Sequence, residues 1–358
     1  MSTNCTFIKT VYNIAIPVAL QSMLQSSFSI VDQIMIGQLG SISIAAVGIA
    51  SKFSSIYQVV VSAIAAVAGI MIAQYMGKQA KELVDRSLSL NIAIALLLAL
   101  GFTMACLALP ESIMGIYTED NEMCSVASSY LRLTALTFVP VAGATLLSTM
   151  LRCMEKATLP LYASLVAAII NTVLNYILIF GKLGCPSMGV EGAAIATLLT
   201  QFANFFLILA GFFISYHQKG QHFCFSLNLN RHEYYQYLLI LLPMLITEFM
   251  WSLGENVYTS IYGHMGTIAC AAMTLTTPIQ GLLIGALSGL AQAAGILIGK
   301  SLGKGNYQEA YHHSRQLIFY GLLASLMLSA LLMTAKNLYI NSNFAGKNPL
   351  HPLKVQAL

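Results

Sequence analysis

The stretch IPVALQSMLQSSFSIVDQIMIGQLG, residues 16–40, recurs in diverged form as LPMLITEFMWSLGENVYTSIYGHMG, residues 242–266. Pro17 falls on Pro243, a shift of 226 positions that continues without a gap as far as residue 78. Both copies are strongly apolar, so they represent a duplicated membrane unit. Internal repeats of this kind are typical of transporters whose halves move against each other around a central site.

The composition excludes an ordinary soluble protein. The 358 residues are 57% hydrophobic and only 8% charged, whereas soluble domains carry about 25% charged residues. The basic residues are dispersed, so the net charge of +4 does not indicate nucleic-acid binding. The seven cysteines have no CxxC spacing, and no catalytic constellation is present. We therefore predict a membrane protein that is not an enzyme, has no cofactor and has no metal site formed by its cysteines.

Apolar segments of about 20 residues or more predict nine membrane-spanning helices. The predicted spans are 13–38, 48–75, 88–110, 123–150, 158–181, 190–216, 235–262, 273–299 and 314–336. This predicts an all-α integral membrane protein with a complete six-helix first lobe and about three helices of a second. The predicted divisions are a first lobe at 1–216, a cytoplasmic linker at 217–234, a partial second lobe at 235–336 and a non-spanning tail at 337–358.

Loop charges predict how the chain crosses the membrane. The loops on one side carry Lys78, Lys81, Arg86, Arg152, Lys156, Lys219, Arg231, Lys300 and Lys304. The opposite loops are acidic at 111–122 and otherwise carry only Lys182. Because cytoplasmic loops are enriched in Lys and Arg, we predict a multi-pass protein of the plasma (inner) membrane with a cytoplasmic N-terminus.

Several motifs together resemble the multidrug and toxic compound extrusion (MATE) family. They are the two copies quoted above, QYMGK at 74–78, NTVLNYILIFG at 171–181 and GVEGAAIAT at 189–197. The resemblance implies two six-helix lobes that form a V. It also implies alternating access and export of organic, often cationic, compounds in exchange for Na⁺ or H⁺.

Two alternatives to this antiporter remain open. With only nine predicted spans, the chain is interpreted as C-terminally truncated, so it can also be a non-transporting membrane fragment. The other alternative is a flippase for lipid-linked precursors of the same superfamily. A flippase is expected to have a basic central cavity, whereas the bases within predicted spans are Lys52 and Arg132, apart from Arg315 and Lys336 at the two ends of the last span.

A cation site is predicted in the first lobe. Asp32 lies within the first span, where an ionisable group is costly and usually functional. Asn171 and Asn175 share one face of the fifth span because they are four residues apart, and Thr197 lies one turn into the sixth. These four positions resemble the first-lobe cation site of the family. The oxygens suit Na⁺, and a buried carboxyl also suits H⁺; helix–helix hydrogen bonding by the neutral residues is the alternative.

A second polar group is predicted on the seventh span. Glu248 and Glu255 are two helical turns apart on one stripe, with Trp251, the only tryptophan, one turn from both. Carboxylates beside an aromatic ring suit a cationic substrate or stepwise proton transfer. Hydrogen-bonded buried carboxyls and a packed tryptophan are the alternatives. The family resemblance implies an acidic residue on this helix, but it does not assign that residue to the position of Glu248 or of Glu255.

Proline and basic side chains within spans give two further expectations. Prolines are expected to bend the helices that contain them: Pro17, Pro140, Pro243 and Pro278. Lys52 and Arg132 are close to the outer ends of their spans. Their long stems allow the charged heads to reach the interface, and a salt bridge across the first lobe is the alternative.

Overall fold

The computed structural model describes residues 2–118, 120–227, 231–265 and 267–344, and these ranges contain helices and no strand. The helices are α1 Ser2–Gly37, α2 Ser41–Gly77, α3 Lys81–Ala108, α4 Pro110–Gly115, α5 Asn121–Ala135, α6 Phe138–Cys153, α7 Thr158–Phe180, α8 Gly189–Gln218, α9 Arg231–Met265, α10 Thr267–Gly303 and α11 Tyr307–Phe344. Helices α1–α8 form the first lobe, and α9–α11 belong to the second. The predicted fold class is confirmed.

The predicted fourth span, 123–150, is bent, as expected for the helix that contains Pro140. It is divided into α5 and α6, whose axes differ by 47°. Pro140 explains the position of the break, because a proline ring clashes with the carbonyl four residues earlier and supplies no N–H to it. That carbonyl belongs to Leu136, which lies between the two helices. In contrast, α1 and α9 continue through Pro17 and Pro243.

Within the described residues, seven single helices are long and apolar enough to cross a membrane, and the bent α5–α6 pair makes an eighth. The ninth predicted span, 314–336, lies in α11, and it stays a prediction because most side chains of residues 331–336 are outside the described part of the chain. Most helices also extend beyond the predicted boundaries, since backbone hydrogen bonding continues past the apolar core. One consequence is that Asp85, predicted in a loop, lies inside α3 and is 4% exposed.

The sequence repeat is reproduced in the helix boundaries. Shifting α2 by 226 positions gives the limits of α10, and the same shift places the start of α3 on the start of α11. Contacts between the lobes follow the same symmetry, since α1 packs against α10 and α2 packs against α9. The α1–α10 contact is the more extensive of the two.

Small residues allow α10 to approach α1 closely. A Cβ added at Gly289 would lie 2.9 Å from the carbonyl carbon of Ala15, and one added at Gly285 would lie 3.3 Å from the backbone of Ser22. The Ser22 and Ser288 hydroxyls are 3.0 Å apart and hydrogen-bonded. Close approach at small residues, with a hydroxyl hydrogen bond across the interface, is a common way for helices to associate in membranes.

The lobes also meet at the lysine-rich ends of α2 and α10, and this contact is symmetric. A Cβ at Gly77 would lie 3.0 Å from the carbonyl carbon of Lys300, and a Cβ at Gly303 would lie 2.8 Å from that of Gln74. Gly303 is the repeat counterpart of Gly77, and Lys300 is the counterpart of Gln74. The same contact is therefore made twice, and it closes the lobes at this end; we call it the glycine contact.

Candidate functional site

The structure brings Asp32 of α1 against the polar face of α7. Asn175 Nδ2 donates to Asp32 Oδ1 at 2.8 Å and also contacts Asn171 Oδ1 at 3.1 Å. In the alternative orientation of its amide, which replaces the contact of its oxygen with Asn175, the nitrogen of Asn171 donates to Asp32 Oδ1 at 2.8 Å. Three of the four predicted residues therefore form one polar group between two helices.

This group is shielded from solvent and is incompletely satisfied. Asn171 is 8% exposed and Asn175 only 1%, while Asp32 is half-buried. The Asn175 Oδ1 atom is buried and has no hydrogen-bond partner among the residues that the structure describes. A buried acceptor without a donor is costly, by about 1–3 kcal/mol, and a bound cation is one way of satisfying it.

Thr197 does not join this group. Its hydroxyl donates to the carbonyl of Ala193 on its own helix at 2.9 Å, the back-bonding that threonine often makes within helices. It is half-buried on α8, which packs against α7. Within the described residues no hydrogen bond connects Thr197 to Asp32, so its contribution is at most indirect in this conformation.

The sequence gave no signal for one neighbour of the carboxylate. Tyr130 on α5 is close enough to Asp32 to interact with it electrostatically. Elsewhere, on α8, the side-chain oxygens of Thr200 and Asn204 are buried without a hydrogen-bond partner among the described residues. Thr197, Thr200 and Asn204 recur at three- and four-residue intervals and thus share one face of α8.

The predicted second-lobe residues lie on α9, a different helix from that of Asp32. Glu248 is half-buried, Trp251 is 57% exposed, and the side chain of Glu255 is outside the part of the chain that the structure describes. Their helix, α9, packs mainly against α2 and α10. The exposure of Trp251 disagrees with the alternative of a packed ring. This helix therefore presents an acidic and an aromatic side chain away from the core.

The basic side chains divide into exposed and buried groups. Lys52 is exposed, and Arg132 makes an ion pair with Glu111 at 3.4 Å in which both side chains are at least half exposed. Arg152, predicted in a loop, lies in the last turn of α6 and donates to Gln21 Oε1 at 2.9 Å. Gln21 in turn donates to Ser164 Oγ at 2.8 Å, so a polar chain connects α6, α1 and α7.

Asp85 is a buried carboxylate whose hydrogen bonds hold other segments of the chain in place. Tyr216 on α8 donates to Asp85 Oδ1 at 2.9 Å, and the backbone N–H of Cys224 donates to the same carboxylate. One turn along α3, the hydroxyl of Ser89 accepts from the backbone N–H of Ser226 at 3.2 Å. Both bonds hold the segment that follows α8 onto α3, which indicates that Asp85 anchors the connection between the lobes.

Comparison with known proteins gives a consistent family signal. A family model described as MatE matches residues 17–177 and 243–343. The chain is 23% identical over 323 residues to a probable multidrug resistance protein NorM of Agrobacterium fabrum, which covers 88% of this chain and 67% of that protein. It is 25% identical to the multidrug resistance protein NorM of Burkholderia vietnamiensis, over 89% of this chain and 69% of that protein. The chain thus spans about two thirds of the length of the curated relatives it matches.

Solved structures share the architecture. A crystal structure of MATE in the bent conformation superposes with a TM-score of 0.83 at 22% identity, over 94% of this chain and 74% of that chain. A MOP superfamily transporter from Pyrococcus furiosus superposes with a TM-score of 0.82 at 22% identity, over 91% of this chain and 72% of that chain. At this identity, the similarity establishes the fold.

Proposed function

We propose an export function for this chain, which belongs to the MatE family and has the family's two-lobed helical fold. The proposed activity is secondary active antiport, in which an organic, drug-like and cationic compound leaves the cell in exchange for Na⁺ or H⁺. The proposed location is the plasma (inner) membrane, with the lysine-rich ends of the helices in the cytoplasm, as expected from the distribution of basic residues.

The observation that carries this proposal is the buried group formed by Asp32, Asn171 and Asn175. It offers one carboxylate and the amide oxygens of the two asparagines. The amide oxygen of Asn175 accepts no hydrogen bond from any residue that the structure describes. Hard oxygen ligands of this kind suit a cation such as Na⁺. The same carboxylate can instead take up a proton, since burial between apolar helices disfavours its charged form. Thr197 is proposed as an outer member of the site, reached only if α8 moves.

The coupling step is proposed to act through α1. This helix carries Asp32 toward α7 on one side and packs along α10 of the second lobe on the other. Neutralising Asp32, by a cation or by a proton, changes the hydrogen bonding of its carboxylate to α7, which holds α1 against that helix. A ligand shifts a conformational equilibrium only by its differential affinity for the two states. Because α1 belongs to both the site and the lobe interface, a movement of the lobes changes the site and therefore its affinity for the ion.

The substrate is proposed to contact α9. Glu248 and the exposed Trp251 offer a negative charge and an aromatic face, a combination that attracts organic cations. Glu255, two turns from Glu248, is proposed as a further acidic contact or as a proton acceptor. The flippase alternative has less support, because Lys52 is exposed and Arg132 is paired with Glu111.

The experiment is uptake of a cationic dye by proteoliposomes under imposed Na⁺ or pH gradients. We expect Asp32→Asn to reduce gradient-driven transport by about tenfold or more, because the variant cannot change its charge. Asp120→Asn is the matched control, since Asp120 caps α5 in an exposed position and asparagine caps equally well.

The gradients distinguish the two coupling ions. Under Na⁺ coupling, Asn175→Leu raises the Na⁺ concentration needed for half-maximal transport, because it removes an oxygen ligand. Under H⁺ coupling, a pH gradient alone drives transport in the parent chain. Transport by Asp32→Asn at the parental rate would refute the proposed role, and a parent chain inactive under both gradients would favour the non-transporting fragment.

A further inference from the structure

A cavity of about 460 Å³ lies between the lobes at their lysine-rich ends. Its first-lobe lining comes from the turn after α2, the turn after α6 and the end of α8, and its second-lobe lining comes from the end of α10. The polar lining residues include Lys81, Glu155, Lys219, Gln221, Lys300 and Lys304. This volume is within the range of small-ligand sites, about 300–1,000 Å³.

The charges that line this cavity are unbalanced. Glu155 is the only acidic side chain among the lining residues, and it already binds Lys300 Nζ at 2.6 Å. Lys81, Lys219 and Lys304 form no ion pair with any residue that the structure describes. Three ammonium groups from both lobes therefore line one cavity without a matching carboxylate.

The surroundings of Lys219 agree with this imbalance. The pKa of Lys219 is lowered, first by partial burial and then by the positive charges of Lys300 and Lys156, with Glu155 acting in the opposite direction. Asp85 interacts electrostatically with Lys81, but its carboxylate already accepts the Tyr216 hydroxyl and a backbone N–H. A bound anion would relieve the repulsion among the lysines.

We propose that this cavity binds a phosphate group, either on a lipid headgroup or on a small soluble anion, between Lys219 of the first lobe and Lys304 of the second. Ammonium groups are common phosphate ligands, and basic pockets between membrane helices on the cytoplasmic side bind anionic headgroups. Gln221 supplies an amide donor beside them. This site is separate from the Asp32 group and goes beyond the proposed transport function.

A ligand held by both lobes has a conformational consequence. The cavity is bordered by Gly77 and by Lys300, two members of the glycine contact, so its shape depends on the lobes being closed at this end. A phosphate that binds the closed arrangement more tightly than the open one shifts the protein toward closure. The site would therefore regulate the opening of the lysine-rich end.

The first experiment measures pyrophosphate binding to the full-length chain in neutral detergent by calorimetry, at constant ionic strength set with NaCl. We expect one saturable site, and Lys219→Gln or Lys304→Gln should each weaken binding by about tenfold. Lys182→Gln is the matched control, since Lys182 follows α7 at the opposite ends of the helices, and its affinity should be unchanged. Thermal unfolding of each variant confirms that it is folded. If one of the two pocket variants, Lys219→Gln or Lys304→Gln, does not fold, the other alone tests the proposal.

The second experiment separates the two sources of phosphate. Native mass spectrometry compares retention of phosphatidylglycerol with retention of phosphatidylcholine, in the parent chain and in the same three variants. Preferential retention of phosphatidylglycerol, lost in the pocket variants, identifies a lipid headgroup, whereas pyrophosphate binding alone identifies a soluble anion. The proposal is overturned if neither probe binds saturably, or if binding is equal in the parent, the pocket variants and the control.

Discussion

Alanine in place of Gly303 introduces a methyl group into the glycine contact between α10 and α2. The new Cβ would lie 2.8 Å from the carbonyl carbon of Gln74, whereas ordinary contacts begin at about 3.4 Å. The opposing atoms are backbone, which cannot rotate away, so the helices must separate by at least 0.6 Å. Gly295→Ala is the matched control on the same helix, because nothing lies within 4 Å of its added Cβ.

The expected cost follows from this overlap. Inserting a methyl group into a closely packed contact typically costs about 1–3 kcal/mol. This cost falls on the closed arrangement and not on the arrangement in which the lysine-rich ends are apart. The closed state should therefore lose about 5–150-fold in relative population. In Gly295→Ala, the higher helix propensity of alanine should leave stability equal or slightly increased.

Cysteine labelling reports this change. Cys153 is fully buried and lines the cavity beside the glycine contact, whereas Cys106 is fully buried on α3, within the first lobe. In single-cysteine backgrounds, Gly303→Ala should accelerate maleimide labelling of Cys153 and leave Cys106 unchanged. Equal labelling of Cys153 in Gly303→Ala and Gly295→Ala would refute the reasoning, and faster labelling of both cysteines would indicate unfolding instead of opening.

Two further predictions concern the lysine-rich half of the molecule. Tyr216→Phe removes the hydroxyl that binds Asp85 while keeping the ring, and should lower the free energy of unfolding by about 1.5–3 kcal/mol; Tyr162→Phe, at an exposed ring, should change it little in the same denaturant titration. Equal effects of the two substitutions would count against the anchoring role. Glu155→Gln and Lys300→Gln should show a coupling energy of about 0.2–1 kcal/mol in a double-mutant cycle, because the pair is partly exposed. Coupling that does not decrease at high salt would contradict an electrostatic interaction.

Local spacing determined much of the candidate site. The four-residue interval of Asn171 and Asn175 places both on one face of α7, and the structure keeps them together. The resemblance to the family placed Asp32 with them, and in the structure Asn175 Nδ2 donates to its carboxylate. Thr197 was grouped with them as well, but its hydroxyl is bonded within α8. Spacing along one helix cannot predict how a neighbouring helix is rotated.

Hydropathy was a weaker guide to the polar ends of helices. It placed Asp85 and Arg152 in loops, whereas both lie in helices with buried hydrogen-bond partners on other helices. Hydropathy reports where the apolar core of a membrane begins, while a helix ends where its backbone hydrogen bonds end. The break at Leu136 had a visible signal in Pro140, since the clash of a proline ring with the carbonyl four residues earlier is a local effect.

The order of residues along the chain establishes the duplicated membrane fold, because a gapless repeat at an offset of 226 positions and long apolar segments can both be read from it. The structural limits of α2 and α10 obey that repeat. The packing of the helices was needed to show that Gly77 lies against α10 and Gly303 against α2 in a symmetric contact. It was also needed to show that lysines from two lobes share one cavity. These features arise where segments far apart in the chain pack together, and no local periodicity encodes such an approach.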